Sequence, residues 1–372
     1  LNPIAFRFRD FFGGSQDPGH CNRSNACAMG DILHCGPLAQ SSAPNQRLLT
    51  TIIGLGIDTK SSMVSIPKSS QGGATMLIRE QISAYFENGY LLVEDVVTPQ
   101  QLQRMQHITH EFIDRSRHVT QSNDVYDLDE GHSSENPKLT RIKLPHKQHP
   151  FFWDVLKNSR ITEVLRQLVG PNAVLQTSKL NAKAPGGGAA VEWHQDWAFY
   201  PHTNDDMLAF GVFLEDVTED NGPLQVIPGS HKGPILDHNS TQGVFCGAVD
   251  PSDPDFQRDQ AVTITGKAGS MSVHHARTLH GSAPNVSDRA RLMLFYECCA
   301  ADAWPLMGGS AYIQRLSQQD QWNDLVDRMI IGEPVLQPRM KEVPVRLPYP
   351  PAADISSIFK VQKSGGAKSA FA

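Results

Sequence analysis

After Pro171 the chain is written in short apolar runs punctuated by glycine, proline and asparagine, and no other feature constrains the fold as tightly. The stretches 173–180, 207–214, 224–227, 262–265, 270–274 and 291–298 have the length and spacing of strands in an all-β sandwich or barrel. They do not alternate with helical segments, which excludes a doubly wound sheet. Upstream the period is helical. Ile78, Ile82, Tyr85 and Phe86 predict a first helix that stops at Asn88-Gly89. Residues 90–93 form a short apolar strand. Thr98-Pro99-Gln100-Gln101 then supplies an N-cap, a proline at the first helical position and a capping-box glutamine, starting a helix that runs to about Arg115. A third helix is expected from Pro150 through Phe151, Val155, Leu156, Ile161, Leu165 and Leu168 to the Gly170-Pro171 stop. Helices first and strands afterwards predict a mainly β jelly roll, cupin-like, braced by N-terminal α-helices.

Residues 1–75 carry Gly-Gly and Ser-Ser punctuation without sustained periodicity and read as a low-order N-terminal extension; the folded domain is expected over 76–349, with a small, polar, proline-rich tail at 350–372. His20, Cys21, Cys27, His34 and Cys35 lie in the extension, but their spacing fits no standard zinc finger. Arg7 and Arg9 are a weak transit-peptide signal, offset by Asp10 and the lack of an arginine face. Six cysteines in this pattern are no disulfide framework, which favours a reducing compartment and a cytoplasmic location. With 33 lysines and arginines against 39 acidic residues the net charge is −6, which argues against a general nucleic-acid binder. No apolar run of about 18 residues is present to span a membrane. A small-molecule partner is expected; the oligomeric state is not written in the pattern.

The chemistry concentrates at Trp193-His194-Gln195-Asp196. On a strand, residues two apart face the same way, so His194 and Asp196 form a two-point grip on a metal. In a chain with 15 histidines a lone His-x-Asp is what chance supplies. His280, near the end of the strand series, adds the third ligand. Two histidines and one carboxylate with the remaining positions open make the ligand set of non-heme Fe(II) oxygenases. Arg291 follows 11 residues later at the start of an apolar strand. If it faces inward, a buried guanidinium there needs an anion, and the far carboxylate of a metal-chelating dicarboxylate suits it, with Ser282 as a further donor. A structural salt bridge is the plainer reading, and nearby Arg289 leaves open which arginine points inward.

These residues, together with Glu215-Asp216, Asn221-Gly222-Pro223-Leu224, Ile227-Pro228-Gly229-Ser230-His231 and His280-Gly281-Ser282 through Arg291, resemble the phytanoyl-CoA dioxygenase family of Fe(II)/2-oxoglutarate oxygenases, which includes ectoine hydroxylase. The resemblance covers about residues 77–298. It implies a double-stranded β-helix, iron held by His194, Asp196 and His280, and 2-oxoglutarate held by Ser282 and Arg291. Lys179 and Asn181 fall on the strand that lines the cosubstrate pocket in this family, and Arg141 or Lys143 matches an upstream basic residue. The implied reaction consumes O2, releases succinate and CO2, and hydroxylates an unactivated carbon of a small organic substrate, with ascorbate as an optional reductant. Asp196 speaks against a halogenase, in which a small residue replaces the carboxylate. Gly211 stands where some relatives have tryptophan.

Around this core, Trp197, Phe199, Tyr200 and His202 follow the iron motif and are placed to roof a substrate or to seal the barrel mouth. The basic stretch 138–149, with Arg141, Lys143, His146, Lys147 and His149, faces an anionic substrate or plain solvent. His231 belongs to a turn and is left out of the metal set. Of His274 and His275 at most one can point inward, and packing is the expected role. The competing functions are a non-redox, cupin-like metal-binding protein or isomerase, which needs neither Arg291 nor O2, and a zinc hydrolase on the same ligands.

Overall fold

A computed structural model describes residues 77–158, 160–306, 317–345, 352–354 and 356–371. The Cys/His group of residues 20–35 and the arginines at 7 and 9 lie outside these. The chain forms α1 (Arg79–Asn88), β1 (Tyr90–Val93), α2 (Pro99–Arg115), β2 (Tyr126–Leu128), β3 (Leu139–Lys143) and α3 (Pro145–Gln148). Next come α4 (Pro150–Asn158), α5 (Arg160–Leu168), β4 (Ala173–Lys183), β5 (Val191–His194), β6 (Met207–Phe213) and β7 (Leu224–Val226). The remainder is β8 (Val262–Ile264), β9 (Met271–His275), β10 (His280–Ser282), β11 (Arg291–Ala300), α6 (Gln318–Asp327), β12 (Met329–Ile331) and α7 (Ile358–Gly365). The Thr98 capping box forms as expected: Thr98 Oγ1 accepts from the Gln101 amide at 3.2 Å and Gln101 Oε1 from the Thr98 amide at 2.9 Å. The single helix expected after Pro150 is instead two, α4 and α5.

The strands make two antiparallel sheets, one ordered β1-β9-β6-β11-β4-β3-β2 with β12 also on β4, the other β5-β10-β7-β8. The fold is the expected mainly β jelly roll. Alternation along β11 divides its side chains between two layers. Leu292, Leu294 and Tyr296 join the large core with Leu180, Phe210, Met105, Ile108, Phe152 and Leu165 under the helices. Met293 and Phe295 join Phe213, Leu224, Val226 and Ile264 in a second cluster between the sheets. All ten β11 residues are buried because both faces are covered.

Two features position the site. Gly89, at φ 78°, closes α1, and its carbonyl accepts from the His275 amide and the Thr278 hydroxyl, both at 2.9 Å. A Cβ there would lie 2.4 Å from His231 Nδ1, so only glycine allows the β9–β10 connection to seat against the helix. The second is the 350–372 segment, expected as a tail, whose described part carries α7. Gln362 Oε1 accepts from the Glu192 amide at 3.0 Å, and its Nε2 donates to the carbonyls of Glu192 (3.2 Å) and Gly247 (3.1 Å). Phe371 stacks on Trp193 with centroids 6.2 Å apart. These contacts to distant strands hold a segment whose own sequence has little helical signal.

Candidate metal centre

β5 and β10 pair with His194 directly opposite His280, which sets their rings 4.1 Å apart at the edge of the smaller sheet. Asp196 is not on that strand. β5 ends at His194, and Asp196 opens a 3-10 turn, so the simple two-residue alternation expected for His-x-Asp does not apply. Buried Gln195 shapes the turn instead: its Oε1 accepts from the Leu236 amide at 2.9 Å, and its Nε2 donates to the carbonyls of Pro234 (3.1 Å) and Arg277 (2.8 Å). The carboxylate is thereby carried beside the imidazoles. Asp196 Oδ1 lies 3.6 Å from His194 Nε2 and 3.9 Å from His280 Nε2.

Each histidine spends its other nitrogen on its own backbone. His194 Nδ1–H donates to the Glu192 carbonyl at 2.8 Å, and His280 Nδ1–H to that of Thr278 at 2.9 Å. That leaves each Nε2 turned toward Asp196. The three ligand atoms lie within 4.8 Å of one another, and all three residues are buried. The donor set fits a divalent first-row metal held on one face. Burial opposes charge on Asp196, but His280, His194, His274 and Lys179 override it and hold the carboxyl well below its usual range. Burial, aided by His194 and His274, keeps the His280 imidazole neutral. Both are the protonation states that ligation requires.

The cavity at this face is lined by Lys179, Asn181, His274, Ser282 and Arg291 as well as by the triad. Arg291 points inward. Its Nε has no hydrogen-bond partner, and burial pulls its pKa down to about 10, so the buried guanidinium still carries its charge at neutral pH. Arg289 is exposed beside Asp288, which settles which arginine enters. Lys179 pairs with Glu297 at 2.7 Å, and Asn181 Oδ1 is buried without a partner. Arg141 and Lys143 do not line this cavity. Both hold buried Asp127, at 2.7 and 2.9 Å, on the adjoining rim.

The aromatic loop divides. Phe199 sits edge-on to His194, with centroids 5.9 Å apart. Tyr200 has a buried hydroxyl without a bonded partner, and burial with Asp196 and Glu297 nearby keeps it protonated. Trp197, placed by the sequence to roof a substrate or to seal the barrel mouth, lies in the large core and donates its indole N–H to the Pro344 carbonyl at 2.7 Å. His202 turns Nδ1 to the Tyr200 carbonyl at 2.8 Å and does not reach the cavity.

Two residues escape the sequence reading, and a third, His274, is expected from sequence only to pack. Lys183, opposite Arg291 in the β4–β11 register, donates to the Ser282 carbonyl at 3.1 Å and to that of Ala283, and burial beside Arg291 depresses its pKa strongly. Register alone could have found it. Glu297 follows Arg291, Met293 and Phe295 on the inward face of β11. His274 is the inward member of the His274-His275 pair, and its Nε2 lies 3.4 Å from Asp196 Oδ2.

Residues 85–293 match the family described as Phytanoyl-CoA dioxygenase (PhyH). The chain is 35% identical over 291 residues, 77% of its own length and 98% of the relative's, to a probable alpha-ketoglutarate-dependent hypophosphite dioxygenase of Stutzerimonas stutzeri. It is 27% identical to an ectoine dioxygenase of Bordetella bronchiseptica over 60% of this chain and 75% of that one. The structure of EctD from S. alaskensis with 2-oxoglutarate and 5-hydroxyectoine superposes with a TM-score of 0.50 at 23% identity, covering 63% of this chain and 79% of that one. The carbocyclase SnoK from nogalamycin biosynthesis gives 0.51 at 21%, covering 66% and 94%. At these identities the structural likeness speaks to the fold.

Proposed function

The chain belongs to the phytanoyl-CoA dioxygenase family and is an Fe(II)- and 2-oxoglutarate-dependent dioxygenase; from that premise we propose which residues run it and what it oxidises. His194, Asp196 and His280 hold the iron. Arg291, with Ser282, takes the far carboxylate of 2-oxoglutarate, and Asn181 and Lys179 flank it. The single observation that carries this reading is the pairing of a preformed triad with a buried guanidinium in one cavity, its Nε without a partner and its Nη1 on the soft sulfur of Met293 rather than on a carboxylate. When bound, iron and 2-oxoglutarate supply the oxidative chemistry: O2 oxidises the keto acid to succinate and CO2 and delivers one oxygen atom to the substrate.

The protein's own contribution is placement. The Glu192 and Thr278 carbonyls fix the two imidazoles, Gln195 fixes the turn that carries Asp196, and Lys183 ties down the strand that bears Ser282. Phe295, Leu224 and Ile358 crowd the cavity with apolar surface, which limits both water and substrate size.

The substrate is read as a compact anion. Lys179 in the cavity is balanced by Glu297, and on the neighbouring strand Arg141 and Lys143 share the one carboxylate of Asp127, which leaves one net positive charge beside the cavity. The relative that matches over nearly its whole length carries the name of an enzyme acting on hypophosphite. An anion of that kind suits that charge better than an extended neutral chain or a CoA ester. The unpaired, buried Cys246, Cys298 and Cys299 support a cytoplasmic setting.

Anaerobic titration of the iron-loaded protein with 2-oxoglutarate should raise the weak visible charge-transfer band of the chelate. No band in folded, metal-loaded protein would overturn the cofactor assignment. Under air, hypophosphite should stimulate succinate release at least tenfold over the unstimulated rate. Stimulation by ectoine or L-proline but not by hypophosphite would leave the cofactor chemistry standing and remove the compact-anion reading.

A further inference from the structure

On β9 the side chains alternate, and of its two adjacent histidines His274 faces inward and His275 outward. His274 sits opposite Ala209, whose small side chain leaves the imidazole room to approach the metal face. It is 2% exposed and lies 4.2 Å, ring to ring, from His280. Unlike His194 and His280, it has no backbone carbonyl on Nδ1, and neither of its ring nitrogens has a hydrogen-bond partner of good geometry. The group its ring does approach is Asp196 Oδ2, at 3.4 Å from Nε2. The two carboxylate oxygens therefore meet different neighbours: Oδ1 faces the two ligand imidazoles, and Oδ2 faces His274.

We propose that His274 is a positioning residue that donates Nε2–H to the outer oxygen of Asp196 and so restricts that carboxylate to one-oxygen ligation. A carboxylate that binds through both oxygens takes two coordination positions. Held through one, it leaves three beyond the triad, enough for a chelating keto acid and O2. Partners that orient ligands in this way typically change metal affinity ten- to a hundredfold when removed. A buried histidine whose one polar neighbour is Asp196 Oδ2 is a poor choice for packing alone, because burial strips its water and only that contact returns anything.

The inference rests on the iron assignment and is tested with the metal by itself. Co(II) is titrated into the metal-free, full-length protein without 2-oxoglutarate, and both affinity and visible spectrum are recorded. His274→Phe keeps the ring volume and removes the donor; it should weaken Co(II) binding at least tenfold and change the intensity of the visible bands, which report coordination number. His274→Gln keeps a donor and should stay within about threefold of the native protein. His274→Asn, whose shorter amide falls short of Asp196, should behave like the phenylalanine variant and serves in its place if that variant does not fold. Native affinity and spectrum in His274→Phe or His274→Asn would overturn the proposal. Failure of the native protein to bind Co(II) would instead overturn the metal assignment beneath it.

Discussion

At Gly211 the main chain of β6 passes beneath the Phe295 ring so closely that a Cβ would lie 2.7 Å from Phe295 Cε1 and 2.9 Å from Met293 Cε. The wall where some relatives have tryptophan is thus filled from the neighbouring strand. Gly211→Ala should cost about 1–3 kcal/mol in urea unfolding, as overpacking does, and Phe295→Leu in the same chain should recover part of it. At Arg291 a charge has been buried for an anion. Arg291→Gln should raise the apparent Kd for 2-oxoglutarate at least tenfold and leave Co(II) affinity within about twofold; the loss of a charged hydrogen bond is worth about 1.5–3 kcal/mol. Asp196→Ala should abolish metal binding by calorimetry while the far-UV spectrum stays native. The triad was legible because its members sit in ordered motifs. His274 was not, because two adjacent histidines give no sign of which one faces the cavity. The direction of Trp197 was not legible, because closeness in sequence to a ligand says nothing about direction, and the 3-10 turn that delivers Asp196 sends the next side chain into the core.

Among elements, α7 acts furthest from where its own sequence is read. Its Gln362 donates to the Glu192 carbonyl, the same oxygen that accepts His194 Nδ1–H. Gln362→Ala should therefore loosen the aim of His194, lowering Co(II) affinity roughly three- to tenfold and raising succinate release in the absence of substrate. An unchanged affinity would confine α7 to covering the mouth. Seven strands were readable because they are short apolar runs set off by glycine, proline and polar residues. β2 and β3 were not, because the half-buried Arg141 and Lys143 break up the apolar run and are stabilised by Asp127, a partner 14 residues from Arg141 that no local pattern reveals. The same holds for α7, whose contacts at Glu192 and Gly247 lie more than a hundred residues away.

Over the whole molecule, stability is tied to histidines kept neutral. Burial pushes His275 down to about 3 against the opposing charge of Asp205, and burial with Lys147 nearby pushes His146 to about 4. Unfolded histidine titrates near 6.5, so the unfolded chain binds these protons first. Their contribution is complete above about pH 6.5 and is lost as pH falls toward 4 and 3. Largely buried His275 alone accounts for up to about 1.4 kcal/mol per pH unit in that window. Chemical denaturation between pH 6 and 4 should show this slope, and His275→Gln should flatten it. At the metal face the backbone grips both imidazoles before any ion arrives. Imidazole and carboxylate suit several first-row ions, and by affinity alone zinc or copper, higher in the stability order, would occupy such a seat more firmly than ferrous iron. What a living cell loads is then decided by its free-ion pool, and protein made in zinc-rich medium should emerge full but silent.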